Sequence, residues 1–435
     1  MSDSNLSQQM RADWNERAKE DAYYYVAFGR KGQEDEEFFA TAVDVVRALE
    51  AELKRLPGND RRARRALEIG CGPGRLMRPM SWSFGEIHGV DVSDEMIRLA
   101  AGNLQSVPNA FPRRTDGTSL DCYANGFFDY VYSYAVFQHI PSRDVVFRYL
   151  TEARRVLKPG GILRCQINGL PSTAKQYTTW EGVRLSAGEV AEFASTHDFQ
   201  LLALEGVDTQ YMWVTLRKQP SGWFKALADN PPRAAARIRS VVNAQSGEPV
   251  VPARGRFACM SIWIEQLPED CDLNQINIEI EGEQAAPVYI GAPVFDGLRQ
   301  VNALMPPNVR TGLVPVEVFW FGERLCEPAW ARVIPPGPSV PRVTAVSDGV
   351  NLLSGHTISS RSVKVSFEEL AAPERLEVRL DGAPVPDLDL FCTDPVNERF
   401  EVNFKLPDSA ARGAHTVEVR VGARVFPAVG IDVAG

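Results

Sequence analysis

Residues 66–76, ALEIGCGPGRL, constrain this chain more than any other stretch. Ala66, Leu67 and Ile69 form an apolar run of the kind that fills a strand buried on both faces. Gly70, Gly72 and Gly74 then let the backbone turn sharply and approach another group closely, and Leu76 starts a pattern read as a helix. A strand, a glycine turn and a helix N-terminus in succession leave unpaired N–H groups at the carboxyl edge of a sheet, where a polar or anionic ligand can bind. The spacing is G-x-G-x-G, with the third glycine one position early for the dinucleotide fingerprint and Arg75 where its last glycine would fall. A tight turn without a ligand is the competing reading of these glycines taken alone.

The following stretches narrow the choice. IHGVDV, 87–92, reads as a second strand ending at Asp91, about 20 residues beyond the turn, where an acid can accept hydrogen bonds from two ribose hydroxyls. RRTDGTSL, 113–120, sets Asp116 and Gly117 at a third strand end, an acidic acceptor suited to an exocyclic adenine amine. FFDYVYSYAVFQHI, 127–140, is an aromatic-rich buried strand that ends near Ser133 and Tyr134 and runs into His139. LKPGGILRCQI, 157–167, reads as a helix end, a Pro-Gly-Gly turn and a further strand. Gly, Asp, Asp and Ser-Tyr at successive strand ends point to one nucleoside pocket across a parallel sheet.

LEIGCGPG, GVDVSDEMI, TDG, FDYVYSYAVFQHI and LKPGG, in this order, resemble the class I S-adenosylmethionine-dependent methyltransferases, in particular the broad small-molecule group with E-x-G-C-G-x-G, D-x-S and L-K-P-G-G elements. The resemblance covers roughly residues 10–217 and implies an α/β, Rossmann-like seven-stranded methyltransferase domain that binds S-adenosyl-L-methionine. It implies that Glu68 with Gly70, Gly72 and Gly74 holds the methionine end, and that Asp91, with Val92 beside it, holds the ribose. Asp116 and Gly117 then lie at the adenine, Met96 packs on that ring, and Ser133 completes the cofactor site. The missing fingerprint glycine agrees, because this cofactor has no pyrophosphate to cradle. The implied reaction is methyl transfer to an oxygen or nitrogen of a small-molecule or sugar-containing acceptor; the alternative is a non-catalytic cofactor-binding scaffold or sensor.

DWNERAKEDAYYYVAFG, 13–29, reads as a helix with more aromatics than a surface helix needs. Many relatives carry a W-x-x-R-A element that lies over the cofactor, so the resemblance gives Trp14, Arg17 and Tyr25 a lid role against the substrate, beside the plainer reading of packing on the sheet. Residues 34–56 read as one long amphipathic helix. His139 is the candidate catalytic base, since imidazole titrates near neutrality, and support of its loop is the competing reading. In the excursion 168–186, Tyr177 and Trp180 are expected to wall the substrate cavity together with Tyr134. Residues 200–218 read as a closing antiparallel hairpin with Tyr211, Met212 and Trp213 in the core.

At 435 residues the chain should hold two or three domains. The expected division is a methyltransferase domain at 1–217, able to bind the cofactor alone, a linker at 218–238, and two all-β immunoglobulin-like sandwiches at 239–336 and 337–435. The second half repeats: 261–282 parallels 364–382, and 301–318 parallels 402–419. Its short alternating strands and turns resemble bacterial modules of the TIG or IPT type, which act as spacers, self-association surfaces, or binders of protein or carbohydrate. A net charge of -9 disfavours nucleic acid and anionic membranes as partners, and no run is long enough to span a bilayer. Seven scattered cysteines read as free thiols of a cytoplasmic protein, with no metal-ligand spacing.

Overall fold

The structure is a computed structural model and describes residues 3–27, 31–58, 60–172, 176–231, 235–255, 257–337, 340–352, 354–370, 372–394 and 398–434. The chain divides into two compact units, Met1–Glu16 with Ala42–Gly337 and Arg17–Thr41 with Pro338–Gly435. The helices are α1 (Asp3–Ala27, broken at Asp21), α2 (Asp35–Ala40), α3 (Val43–Glu50), α4 (Met77–Met80), α5 (Asp94–Asn103), α6 (Arg143–Val156), α7 (Ala187–Thr196) and α8 (Trp223–Asp229). The single helix expected over 34–56 is thus divided into α2, α3 and a short 3-10 turn at Leu53–Arg55, and the boundary between the units falls at Thr41.

In the first unit, β1 (Arg65–Ile69), β2 (Glu86–Asp91), β3 (Ala110–Arg114), β4 (Phe128–Ser133) and β5 (Leu157–Ile167) pair in parallel in the order β3-β2-β1-β4-β5. β6 (Phe199–Glu205) and β7 (Met212–Lys218) close the series, with β7 antiparallel to both β5 and β6. This is the expected seven-stranded Rossmann-like arrangement. Its order reverses between β1 and β4, which opens a crevice at their carboxyl ends. The central strands read as apolar runs because helices cover both faces: Leu67, Tyr130, Val131, Ile162 and Leu163 are fully buried. Pro112 marks the other margin. Asn109 O accepts from Ile87 N–H and Thr115 N–H donates to Asp91 O, so odd-numbered residues of β3 face β2 and Pro112 faces the free edge. Its missing N–H discourages pairing there by another chain.

The sheet does not end at β6. The strands that follow are β8 (Arg237–Asn243), β9 (Val250–Pro252), β10 (Cys259–Glu265), β11 (Ile276–Ile280), β12 (Glu283–Ala285), β13 (Pro287–Ile290), β14 (Arg299–Leu304), β15 (Gly312–Trp320), β16 (Glu323–Arg324) and β17 (Ala329–Ile334). β13 pairs antiparallel with β6 at Tyr289 and Ala203, extending one sheet to eleven strands that finish β7-β6-β13-β14-β10-β8. The junction is buried and polar groups fasten it. Gln200 Nε2 donates to the carbonyls of Glu269 at 2.8 Å and Cys271 at 2.9 Å, and the Asp272 carboxylate accepts from the N–H groups of Leu201 and Asn274. Burial pushes Asp272 up to about 7. The first β-rich segment is therefore continuous in hydrogen bonding with the sheet that a self-contained 1–217 domain would own.

The second unit contains β18 (Arg342–Asp348), β19 (Thr357–Ile358), β20 (Ser362–Glu368), β21 (Leu376–Leu380), β22 (Ala383–Pro384), β23 (Asp389–Asp394), β24 (Arg399–Lys405), β25 (Gly413–Val421), β26 (Arg424–Val425) and β27 (Val429–Val433). One sheet runs β18-β20-β24-β23, repeating the order β8-β10-β14-β13, and the other runs β19-β27-β25-β21-β22, repeating β9-β17-β15-β11-β12. Alternating residues of both sheets, among them Val365, Phe367, Val402, Val378, Val419 and Ile431, fill one core. The internal repeat is thus one two-sheet architecture built twice, strand for strand.

Candidate cofactor site at the carboxyl edge

The glycine turn leaves β1 at the reversal of strand order. Gly70 N–H and Cys71 N–H donate to Val90 O at 2.8 and 3.0 Å, which ties the turn to the end of β2. Gly70 has φ +74°, and a Cβ there would lie 2.3 Å from Val136 Cγ2, so a side chain is excluded by conformation and by space. Gly72 N–H donates to Asp91 Oδ2 and Ser93 N–H to Asp91 Oδ1, both at 2.9 Å. Burial raises the Asp91 carboxyl above its ordinary range, opposed by these backbone N–H groups. The helix expected after the turn is only the one-turn α4, Met77–Met80, and it contains Pro79, which has no N–H to donate. The polar character of the site therefore comes from the turn and the strand ends, with little from a helix dipole.

Glu68 lies on β1 just before the turn and is buried, accepting from Tyr132 Oη at 2.9 Å. Burial pushes its carboxyl up to about 8, although the Tyr132 hydroxyl and the Arg75 charge act the other way. Arg75 is itself buried and stands 5.6 Å from the centre of the Tyr134 ring, which stacks on Trp213 at 5.5 Å. Because the folded-state value of Glu68 exceeds its ordinary 4.5, the native protein holds an extra proton between the two values. The associated stability is complete below that window and is lost as pH rises through about 8. Glu68→Gln should flatten the fall in melting temperature across this range in scanning calorimetry. An unchanged slope would assign the fall to other groups, Asp272 among them.

At the third strand end, Gly117 has φ +79°, and a Cβ there would meet Val92 Cγ2 at 2.7 Å and Met10 Cε at 3.4 Å. Val92, Gly117 and Met10 form one apolar contact, with Met96 buried at the start of α5. The Asp116 carboxylate is taken up locally, Oδ1 accepting from the N–H groups of Thr118 and Ser119 at 2.8 and 3.0 Å. Ser133 is fully buried and its hydroxyl donates to Ile69 O at 2.9 Å, so this side chain ties β4 to β1.

His139 is buried at the end of the loop after β4. Its Nδ1 lies 2.7 Å from Trp180 O, which fixes that nitrogen as the donor, and its Nε2 lies 3.3 Å from Gln138 Nε2. Its ring is 5.3 Å from Trp14 and 5.6 Å from Trp180. The structure therefore brings His139, Trp14 and Trp180 together, with Tyr177 packed partly into the core and Trp180 a little over half buried. Tyr211, expected in the core, is 43% exposed at the turn between β6 and β7, whereas Met212 is fully buried. Arg17 and Tyr25 belong to the second unit, where Tyr25 Oη donates to Glu20 at 2.8 Å.

The first half of α1 carries residues the sequence reading passed over. Ser7 Oγ donates to Asp116 O, Arg11 pairs with Asp94 at 2.6 Å, and Thr179 Oγ1 donates to Asp13 at 2.5 Å. Asn15 Oδ1 accepts from Ser93 Oγ at 2.8 Å. Positions 7, 10, 11, 14 and 15 share one face of a 3.6-residue helix, and that spacing was the available signal.

The methyltransferase domain family model matches residues 67–165, the span from the glycine turn to β5. A probable methyltransferase of Aspergillus luteorubrus is 35% identical over 106 residues, 22% of this chain and 37% of that protein. A ubiquinone biosynthesis O-methyltransferase of Cereibacter sphaeroides is 33% identical over 101 residues, 23% of this chain and 40% of that protein. The chain thus spans about two fifths of the length of these curated relatives. Among solved structures, phosphoethanolamine N-methyltransferase 1 of Haemonchus contortus aligns with 51% of each chain at 15% identity and a TM-score of 0.36. With the glycine turn, the acidic end of β2 and the strand order in place, the N-terminal region of the chain holds a class I S-adenosylmethionine-dependent methyltransferase domain.

Proposed function

We propose that the protein transfers a methyl group from S-adenosyl-L-methionine to an oxygen or nitrogen of a small-molecule or sugar-containing acceptor. The observation that carries this reading is the Asp91 carboxylate, held at the strand-order reversal by Gly72 and Ser93 N–H groups and kept partly open to solvent. An acid so placed suits paired ribose hydroxyls. Val136 and Val92 occupy the Cβ directions of Gly70 and Gly117, so these glycines let the turn and the third strand end pack tightly, and Val92 and Met10 offer an apolar wall to an adenine. Glu68, neutral near pH 7 by burial, would ionise beside the cationic methionine end, its proton passing to solvent. Gly74 completes the turn, and Asp116 shapes the adenine loop through its own hydrogen bonds.

The bound cofactor supplies an activated methyl on a sulfonium, so the chain's tasks are to orient the acceptor, exclude water and hold charge. Trp14 and Trp180 beside His139, with Tyr134 and Tyr177, would supply apolar surface for a ring-bearing acceptor, and the Arg75 charge stands against the Tyr134 ring. With both ring nitrogens within reach of protein partners, His139 acts here as the post that holds the Trp180 loop against Trp14. His139→Asn can keep a donor toward Trp180 O and should retain activity within about tenfold, whereas loss of a general base costs about 100-fold or more. A kcat reduced 100-fold, with unchanged cofactor affinity, would restore the base role. The acceptor class is tested by a metabolite screen with methyl-labelled cofactor. Tight cofactor binding without labelled product from a broad acceptor set would turn the reading to a scaffold or sensor.

The two β-rich repeats fit immunoglobulin-like sandwiches, with β8, β10, β14 and β13 in the A, B, E and D positions and β11, β15 and β17 in C, F and G. Their place in this reading is to present an acceptor, a protein or carbohydrate partner, or a second copy of the chain. No helix among the described residues is long and apolar enough to cross a membrane.

A further inference from the structure

We propose that Asn15 is a positioning residue for the cofactor: its side-chain carbonyl fixes the loop that carries Asp91 and latches the first half of α1 over the site. This rests on the cofactor reading above. The chain of contacts is short and directional. Gly72 N–H and Ser93 N–H donate to the two oxygens of Asp91, each at 2.9 Å. Ser93 is the N-cap of α5, and its hydroxyl accepts from Met96 N–H at 3.1 Å while donating to Asn15 Oδ1 at 2.8 Å. The same Asn15 oxygen accepts from Glu95 N–H at 3.1 Å. One side-chain atom therefore orients the cap hydroxyl, two residues beyond the carboxylate assigned to the ribose, and satisfies a backbone donor of the first helical turn.

Asn15 does not act from an independent surface. It shares a helix face with Met10, which reaches Gly117, and with Trp14, which meets His139, while Asp13 accepts from Thr179. The adenine loop, the ribose loop and the acceptor loop are thus all touched by residues 7–15 of one helix. Arg11, Asn15 Nδ2 and Arg114 all approach Asp94, which neighbours the latch and is held low in pKa by this company. Exchange of cofactor requires these loops to separate, and the Asn15 oxygen is the contact whose loss would free the Asp91 loop without removing any group that touches the ligand.

The test uses the full chain. Asn15→Leu fills a similar volume with no acceptor, and the expected result is a cofactor dissociation constant and dissociation rate each raised about tenfold, the equivalent of one ordinary hydrogen-bond energy. The KM for S-adenosylmethionine should rise with kcat preserved, and amides 93–96 should lose hydrogen-exchange protection in ligand-free protein while protection in the central strands is unchanged. Asn15→Asp keeps the acceptor but sets a carboxylate where Nδ2 meets Asp94, so it is paired with Asp94→Asn; that double variant should hold affinity within about threefold of Asp94→Asn alone, and Asn15→Leu combined with Ser93→Ala should cost less than the sum of the two changes. Wild-type affinity in Asn15→Leu, or fully additive losses from Asn15→Leu and Ser93→Ala, overturns the latch. If the wild-type protein binds neither S-adenosylmethionine nor S-adenosylhomocysteine by calorimetry, the cofactor reading falls and the proposal with it. Binding by wild type together with an unaffected Asn15→Leu removes the latch alone. Should Asn15→Leu fail to fold, Asn15→Ala takes its place, and wild-type affinity in that variant overturns the proposal.

Discussion

A chain ended at Lys218 is expected to melt roughly 10–20 °C below the full-length protein and to aggregate when concentrated. The cut would strip β13 from β6 and leave the Gln200 amide and the Leu201 N–H without the Glu269, Cys271 and Asp272 partners they have in the intact sheet. The cut trades these hydrogen bonds for bonds to water, a loss of about 0.5–1.5 kcal/mol each, and uncovers apolar side chains at about 1.5–3 kcal/mol each, so the total is about 5 kcal/mol, and for a domain of this size each kcal/mol moves the midpoint by about 2–4 °C. The exposed β6, with Leu201, Leu202 and Ala203 buried in the intact protein, would also become an apolar sheet edge able to pair with another chain. Calorimetry and light scattering on the two lengths decide it. A fragment with the full-length midpoint and a monomeric profile would show that the continuous sheet is a docking of two self-sufficient parts, as the 1–217 division in the sequence reading has it.

Asp91→Ala should produce the largest loss of cofactor affinity of any single change at the site. In the cofactor reading this carboxylate is the partner of the ribose hydroxyls, and it already terminates the N–H groups of Gly72 and Ser93. A hydrogen bond to a charged group contributes about 1.5–3 kcal/mol, so losing the ribose contact and the order of the turn together should weaken binding by at least about 100-fold. Asp91→Asn, which keeps an acceptor but no charge, should fall between. Titration calorimetry with S-adenosylmethionine reads both, and an Asp91→Ala protein that is folded and binds like wild type would take this residue out of the site.

The parts of this architecture that were legible in sequence are those whose signal is local. The run of Ala66, Leu67 and Ile69 followed by closely spaced glycines states a buried strand and a turn in a dozen residues, and the period of the second half announces a repeated unit. The helix opening after Leu76 is legible too, and its shortness has a local cause: Pro79, three residues on, has no N–H to continue it. Asn15 was illegible. Its partners Ser93 and Glu95 lie 78 and 80 residues away, and an asparagine on a polar helix face looks the same whether it meets solvent or a cap. The pairing of β13 with β6 left no mark either, because an edge strand and a strand one place inside the edge differ in neighbours, while their composition can be identical.

Residues 17–41 group with residues 338–435, while the chain on either side of that segment groups with the first unit. The backbone therefore passes between the units at three places, after Glu16, after Thr41 and after Gly337. A protease that nicks the chain near residue 337 would not release the second unit whole, since one of its segments would stay covalently joined to the larger fragment at both ends. Nor can the last hundred residues be exchanged like a cassette. A chimera that replaces them must also supply a match for the segment holding the stacked pair Tyr23 and Phe38 and for Lys31, whose N–H donates to Asn351, so graft junctions belong at all three crossings.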